Sequence, residues 1–286
     1  MKVLVTGAGG QLAGAFLAAA PSGWTVIGLG RADLDIGDKD AVAAAVRAHT
    51  PDLVVNAAAY TAVDRAESEP DLAFRINRDG AGHLARAAEC AGARLVHVST
   101  DFVFDGRASR PYRPDDPTGP LSVYGASKLA GERAVIAAAP DALIVRTAWV
   151  YGPAGSNFLS TMLRLMTSQT ELSVVADQVG TPTSTRTLAG ALWELIAADA
   201  RGLFHYTDAG VASWYDFAVA IVEEALAAGV LQSAPLVKPI STADYPTAAQ
   251  RPAFSVLDKT ATFTLLGRPA PHWRAALRAV LAELSR

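Results

Sequence analysis

The sequence predicts an α/β fold: a doubly wound parallel sheet with a smaller C-terminal substrate lobe over the ends of its strands. Three observations carry that expectation. Through the first half of the chain, short runs rich in β-branched residues alternate with alanine-rich stretches long enough for helices. A glycine-rich turn, Gly7-Ala8-Gly9-Gly10, separates the first such run from the first such stretch. After Trp149 the alternation loosens, and prolines and short elements take over. Runs that are apolar throughout, rather than at every second position, suit strands covered by helices on both faces, as in a parallel sheet. Right-handed crossovers then make the sheet doubly wound.

In order, strands are expected at residues 2–6, 24–29, 53–56, 94–99 and 143–147, with helices at 11–19, 39–49, 70–91 and 122–139 between and after them. Beyond Trp149, helices are expected at 157–166, 185–198, 214–228 and 273–284. Alanine suits all of these helices because it loses no side-chain freedom on becoming helical. No internal repeat or low-complexity linker interrupts the chain.

Composition excludes several classes of function. Of 286 residues, 51% are hydrophobic and 19% charged, a globular balance. A net charge of −3 without a polybasic segment offers nucleic acid or a membrane surface nothing to hold. No uninterrupted apolar run reaches the roughly 18 residues of a membrane-spanning helix. Met1-Lys2, the apolar stretch after it and Ala18-Ala19-Ala20 imitate a secretion signal, but Gly7, Gly9, Gly10 and Gly14 interrupt that stretch and fit a turn better. The one cysteine, Cys90, cannot build a disulfide framework. It reads as a small buried side chain in a protein of the reducing cytoplasm.

The turn has the chemistry of a phosphate site. Gly7 and Gly10, with Ala13 after them, fit a G-x-x-G-x-x-G/A loop between a strand and a helix. Gly7 lets the chain turn sharply, and Gly10 lets backbone N–H groups approach a pyrophosphate at the helix N-terminus. Ala13 permits close packing of helix on strand. The acidic residue that would hold a ribose 2′-hydroxyl at the end of the second strand is absent. Arg31 stands there, and a guanidinium suits a 2′-phosphate. NADPH is therefore the expected cofactor, with NADH left open by Asp33 and Asp35 nearby. Residues 1–148 read as a dinucleotide-binding (Rossmann) domain, and 149–286 as a mainly substrate-binding lobe with some elements returning to the main sheet.

A second constellation follows. Tyr124 and Lys128 fall one turn apart in the first turns of a predicted helix. A phenol needs help to act as an acid or base near neutrality, and a neighbouring ammonium provides it. The strand before them ends at Ser99-Thr100, where an open parallel sheet binds its ligand, so Thr100 can hold a carbonyl oxygen. The third strand ends in Asn56-Ala57-Ala58-Ala59, whose small side chains leave room for a cofactor.

These residues resemble the extended short-chain dehydrogenase/reductase superfamily. Asn56–Asp64 followed by Ala66-Glu67-Ser68-Glu69-Pro70, then Ser99–Phe104, Arg146–Tyr151, Asn157-Phe158, Asp177–Thr183, Tyr245-Pro246-Thr247 and Arg251-Pro252, narrow the likeness to the dTDP-4-dehydrorhamnose reductase family, over nearly the whole chain. The resemblance implies NAD(P)H-dependent reduction of the C4 ketone of a dTDP-4-dehydro-6-deoxy sugar to dTDP-L-rhamnose. It implies Thr100, Tyr124 and Lys128 as the catalytic set. Gly7, Gly10, Gln11, Leu12, Asp35, Ile36 and Ala57–Ala59 would line the cofactor. Thr61, Val63, Asp101, Trp149, Asn157, Gln178 and Arg251 would border the substrate. Other nucleotide-sugar 4-ketoreductases and epimerases share these motifs. So does the regulatory β subunit of methionine adenosyltransferase, which acts by binding a partner. Some family members dimerise through magnesium held partly by an acid in the first helix. Residues 11–19 contain no acid, Ala15 occupies the corresponding place, and Glu283 near the C-terminus reads as a solvated charge. The expectation is no metal, and a monomer or a metal-independent homodimer.

Overall fold

Apolar runs of four to seven residues become strands here because helices cover both of their faces. The computed structural model describes residues 1–285. Its first half contains β1 (Lys2–Thr6), β2 (Thr25–Leu29), β3 (Leu53–Asn56), β4 (Arg94–Thr100) and β5 (Leu143–Thr147). Between and after them lie α1 (Gln11–Ala18), α2 (Lys39–His49), α3 (Val63–Ser68), α4 (Pro70–Phe74), α5 (Ala81–Cys90) and α6 (Val123–Ala138). The second half adds β6 (Val150–Tyr151), α7 (Phe158–Ser168), β7 (Glu171–Val175), β8 (Val179–Gly180), β9 (Thr183–Ser184), α8 (Thr185–Ala197) and β10 (Gly202–His205). It ends with β11 (Ala212–Ser213), α9 (Trp214–Ala227), β12 (Leu236–Ile240), α10 (Thr260–Leu266) and α11 (Trp273–Leu284).

The main sheet has the order β10-β5-β4-β3-β1-β2, and all its pairings are parallel. The two-residue period of a strand divides its side chains between two cores. Val3, Val5, Val55, Val96 and Val145 pack against Phe16 of α1 and Leu188, Leu192 and Leu195 of α8. Leu4, Val54, Leu95 and Ile144 pack against Val42 and Val46 of α2, Leu84 and Ala88 of α5 and Val135 of α6. Each such Val or Leu contributes roughly 1.5–3 kcal/mol on leaving water. A third core joins α7, α9 and α11 through Leu159, Phe217, Ile221 and Leu277, with Leu172 and Val174 of β7. β7 pairs in parallel with β12, and β8 pairs antiparallel with β11. Two elements beyond Trp149, α8 and β10, belong to the main sheet layer.

Several expectations are corrected. The helix expected at 70–91 is three pieces, because a π-helical segment, Arg75–Gly80, separates α4 from α5. The wider turn points Asn77 inward, where its side chain accepts from the Tyr60 N–H at 2.8 Å and donates to the Ser127 hydroxyl at 2.9 Å. Helices α3 and α10 and strand β10 lacked a pattern long enough to read. Cys90 is exposed, not buried. It lies two residues past Ala88, off the buried stripe of α5. Glu283 is not merely solvated, since Arg186 of α8 pairs with it at 2.7 Å. Among the described residues, no helix is long and apolar enough to cross a membrane.

Candidate active site

A cleft of about 980 Å³ opens beyond the carboxyl ends of β1, β3, β4 and β5, between the sheet and the third core. Its dinucleotide end is built by the first turn. Gly7 has φ +79°, and a Cβ there would stand 2.8 Å from the backbone of Ala58. The glycine and the small Ala57–Ala59 strand end are thus two sides of one close approach. The Gly10 N–H bonds to the Gly7 carbonyl at 2.8 Å, and no side chain caps α1. The first N–H groups of that helix are left facing the cleft, as an anion site requires. Gln11 and Leu12 continue this wall, while Arg31, Asp35 and Ile36 border the same cleft after β2. Asp33 is turned into its own loop, accepting the Gly30 N–H at 2.8 Å. Asp35 pairs with Arg75 at 2.9 Å, and that guanidinium holds its carboxyl below the usual range.

Further along, the cleft gathers Thr100, Asp101, Tyr124 and Lys128. Thr100 ends β4, and its hydroxyl donates to Asp101 Oδ1 at 3.1 Å. Ser122 caps α6 by accepting from the Gly125 N–H at 3.2 Å, so Tyr124 and Lys128 project from its first turns. The Tyr124 ring meets Phe102 edge-on with centroids 5.5 Å apart. Lys128 Nζ donates to the Val98 carbonyl at 2.7 Å.

Burial shifts the titration of three groups here. Loss of solvent pushes Tyr124 up to about 12, against a smaller downward pull from the Thr100 hydroxyl. Burial brings Lys128 down to about 8, partly opposed by Glu132. Lys128 lines the same cleft as Tyr124, with its Nζ held by a carbonyl of β4. Burial also raises Asp101 to about 6.

The remaining expected residues divide. Thr61, Val63, Trp149, Asn157 and Arg251 line the cleft with the groups above. Gln178 does not. It lies behind Trp149 in a small adjoining cavity and donates to the Thr242 hydroxyl at 3.1 Å. Asn157 caps α7 and also donates to Gln11 Oε1 at 2.7 Å. Arg251 pairs with Asp64 at 2.7 Å. Trp149 holds an unusual backbone, φ +47°, and stacks on Trp214 with centroids 3.5 Å apart and planes 3° from parallel. A left-handed φ on an aromatic residue is a strain found mostly at functional sites. Trp214, which also lines the cleft, was not anticipated. The signal was present: Ser213 and Asp216 form a capping box, which puts Trp214 at the first position of α9.

A model of the RmlD substrate binding domain matches residues 1–286. The chain belongs to this RmlD family. It is 43% identical to the dTDP-4-dehydrorhamnose reductase of Aggregatibacter actinomycetemcomitans, over 98% of both chains. Its structure superposes on that of a dTDP-4-dehydrorhamnose reductase from Clostridium acetobutylicum with TM-score 0.94, at 41% identity and complete coverage of both chains. The same enzyme from Bacillus anthracis, solved in complex with NADP, superposes with TM-score 0.93 at 36% identity, over 99% of each chain.

Proposed function

We propose that this chain is an NADPH-dependent reductase of the cytoplasm that converts the C4 ketone of dTDP-4-dehydrorhamnose to the alcohol of dTDP-L-rhamnose. The observation that carries the reading is the meeting of Thr100, Tyr124 and Lys128 in one cleft with the Gly7–Gly10 turn. Membership of the RmlD family and the 43% identity to a named reductase support it. The residues fit a dinucleotide phosphate. The uncapped N-terminus of α1 faces the cleft, and Arg31 makes no ion pair among the described residues. Arg31 would hold a 2′-phosphate, with Gln11, Leu12, Asp35, Ile36 and Ala57–Ala59 around the rest of the cofactor. The sheet domain, including α8 and β10, would bind the cofactor, and the lobe would bind the nucleotide sugar.

When bound, the reduced nicotinamide supplies the hydride that adds to C4. Tyr124 supplies the proton, from its Oη to the developing alkoxide at O4. A phenol near 12 stays protonated at neutral pH and still gives its proton to a stronger base. Lys128 places positive charge beside the phenolate left behind and offers donors to a ribose. Thr100 steadies the oxygen. Trp149, Thr61, Val63, Asn157 and Arg251 would border the sugar nucleotide, with Asp101 beneath Thr100. Glu283 is engaged by Arg186 and residues 11–19 hold no carboxylate, so the chain would work without a bridging metal, as a monomer or a metal-independent dimer.

The test is turnover of dTDP-4-dehydrorhamnose with NADPH, with cofactor oxidation followed by absorbance and the product's C4 stereochemistry read by NMR. One NADPH oxidised per dTDP-L-rhamnose formed is expected. An isomer of the keto sugar formed without net cofactor consumption would instead indicate an epimerase, and a different configuration at C4 of the alcohol would indicate another ketoreductase.

A further inference from the structure

Helix α6 carries Tyr124, Lys128 and Glu132 at intervals of four, so the three side chains follow one another along one face. The first two line the cleft, and the third lies behind it. Glu132 is 3% exposed, and three donors converge on its carboxylate. The Ser99 hydroxyl donates to Oε1 at 2.5 Å, Arg146 Nε donates to the same oxygen at 2.8 Å, and Arg146 Nη2 donates to Oε2 at 2.7 Å. Ser99 and Arg146 are register partners on β4 and β5, so the clamp ties one helix to two strands. Arg146 is held in turn by the Pro114 carbonyl at 3.2 Å and lies 5.0 Å over the Phe104 ring. A buried ion pair of this kind is often no more stable than well-packed apolar side chains, so stability alone is a weak reason for it.

Its electrostatic setting supplies a better one. Lys128 is 2% exposed and bonds to a neutral carbonyl, which does little to hold a charge out of water. The groups facing it are few. From β4 comes His97, which burial and the Lys128 charge hold neutral. Asp101, just past β4, bears on Tyr124. From α6 come Tyr124, itself protonated, and Glu132. Arg146 of β5 is paired with the Glu132 carboxylate. Glu132 is thus the negative charge that favours the ammonium.

We propose that Glu132, fixed by Ser99 and Arg146, is a positioning residue that keeps the Lys128 side chain cationic within the cleft. Its consequence for turnover rests on the reading of Lys128 given above, but its test does not. The chain has five lysines: Lys2, Lys39, Lys128, Lys238 and Lys259. With 13C at the lysine ε-carbons, the full-length protein gives a countable set of NMR signals to titrate without any ligand. The Lys128 signal is identified by its loss in Lys128→Arg, and its midpoint is expected near 8. In Glu132→Gln that midpoint should fall by about one pH unit, the scale of one neighbouring charge at an effective dielectric near 20. In Ser99→Ala, which keeps both charges, it should move much less. An unmoved midpoint in Glu132→Gln, or an equal fall in Ser99→Ala, overturns the proposal. If Glu132→Gln does not fold with Arg146 unpaired, the double variant Glu132→Gln/Arg146→Gln removes both charges as an amide pair. The midpoint should still fall there, and one that holds or rises overturns the proposal. Wild-type turnover by Lys128→Met would refute the catalytic reading of Lys128 and leave the titration result standing.

Discussion

Replacing Gly180 by alanine probes how firmly the substrate end of the cleft is built. Gly180 lies in β8 opposite Ala212 of β11. A Cβ there would stand 2.6 Å from Trp149 Cε2 and 2.7 Å from its Nε1. Ordinary contact begins near 3.4 Å, so the indole must retreat by about 0.8 Å. It has little room to do so. The indole is stacked on Trp214 with centroids 3.5 Å apart, and its backbone already sits at φ +47°. Overpacking of this kind costs about 1–3 kcal/mol. For a chain of this size each of those kcal/mol lowers Tm by roughly 2–4 °C. The displaced indole borders the cleft far along the chain from the Gly7–Gly10 turn. KM for the nucleotide sugar should therefore rise, by about tenfold if 1.4 kcal/mol of contact is lost, while the Kd for NADPH stays near the wild-type value. Calorimetry, steady-state kinetics and cofactor fluorescence measure the three quantities. Wild-type Tm and KM in this variant would refute the argument. An equal loss of NADPH affinity would show that the damage is general and not confined to the Trp149–Trp214 stack.

Three further outcomes are expected. Tyr124→Phe should lower kcat by at least about 10²-fold with the circular dichroism spectrum unchanged, as for a lost proton donor; near wild-type turnover would remove Tyr124 from the reaction. Arg31→Ala should raise the Kd for NADPH by about tenfold or more and leave that for NADH little changed, because a charge-assisted contact to a 2′-phosphate is lost; equal losses for the two cofactors would place Arg31 elsewhere. Asp208 is buried, with Oδ2 accepting the Ser184 N–H at 3.0 Å and Oδ1 without a partner, and burial pushes it up to about 6. Its folded state favours the protonated acid, a contribution complete below the ordinary 3.8 and lost as pH rises through about 6. Asp208→Asn should therefore raise Tm near pH 8 and not near pH 4, and calorimetry showing the reverse order would contradict the sign.

Much of this was legible because local pattern and tertiary role agree. Strands buried on both faces announce themselves as continuous apolar runs, and β1, β3 and β5 fall where those runs are. Strand-end residues such as Thr100 and Ala57–Ala59 reach the cleft by topology alone. What escaped depends on partners far along the chain. The break at Arg75–Gly80 arises where Asn77 meets Tyr60 and Ser127, and no helical periodicity records that. Trp214 reads as one more apolar residue until Trp149 is stacked against it. Gln178 bonds to Thr242 and lines a smaller cavity beside Trp149, which its position in sequence does not record. Spacing along α6 placed Tyr124 and Lys128 on one face, but it did not show that a strand carbonyl also accepts from Lys128.

The two halves of the cleft are joined by direct bonds, and this bears on catalysis. Gln11 stands at the first position of α1, in the dinucleotide turn, and Asn157 caps the first helix of the lobe. The 2.7 Å bond between them, with Gln11 Nε2 donating to the Ser156 carbonyl at 3.1 Å, ties turn to lobe across 146 positions of sequence. At the other rim, Arg251 and Asp64 tie the loop before α10 to α3, with the Ala249 N–H bonding to Asp64 at 3.1 Å. A reaction between two bound molecules gains most when the groups that hold them are fixed relative to one another. In a cleft whose walls came from independently moving lobes, the distance from nicotinamide to ketone would follow that motion. Here Gln11, beside the Gly7–Gly10 turn, is also a partner of Asn157, the cap of α7. On the proposed function, Asn157 would serve the spacing of the two reactants as well as the shape of the sugar site.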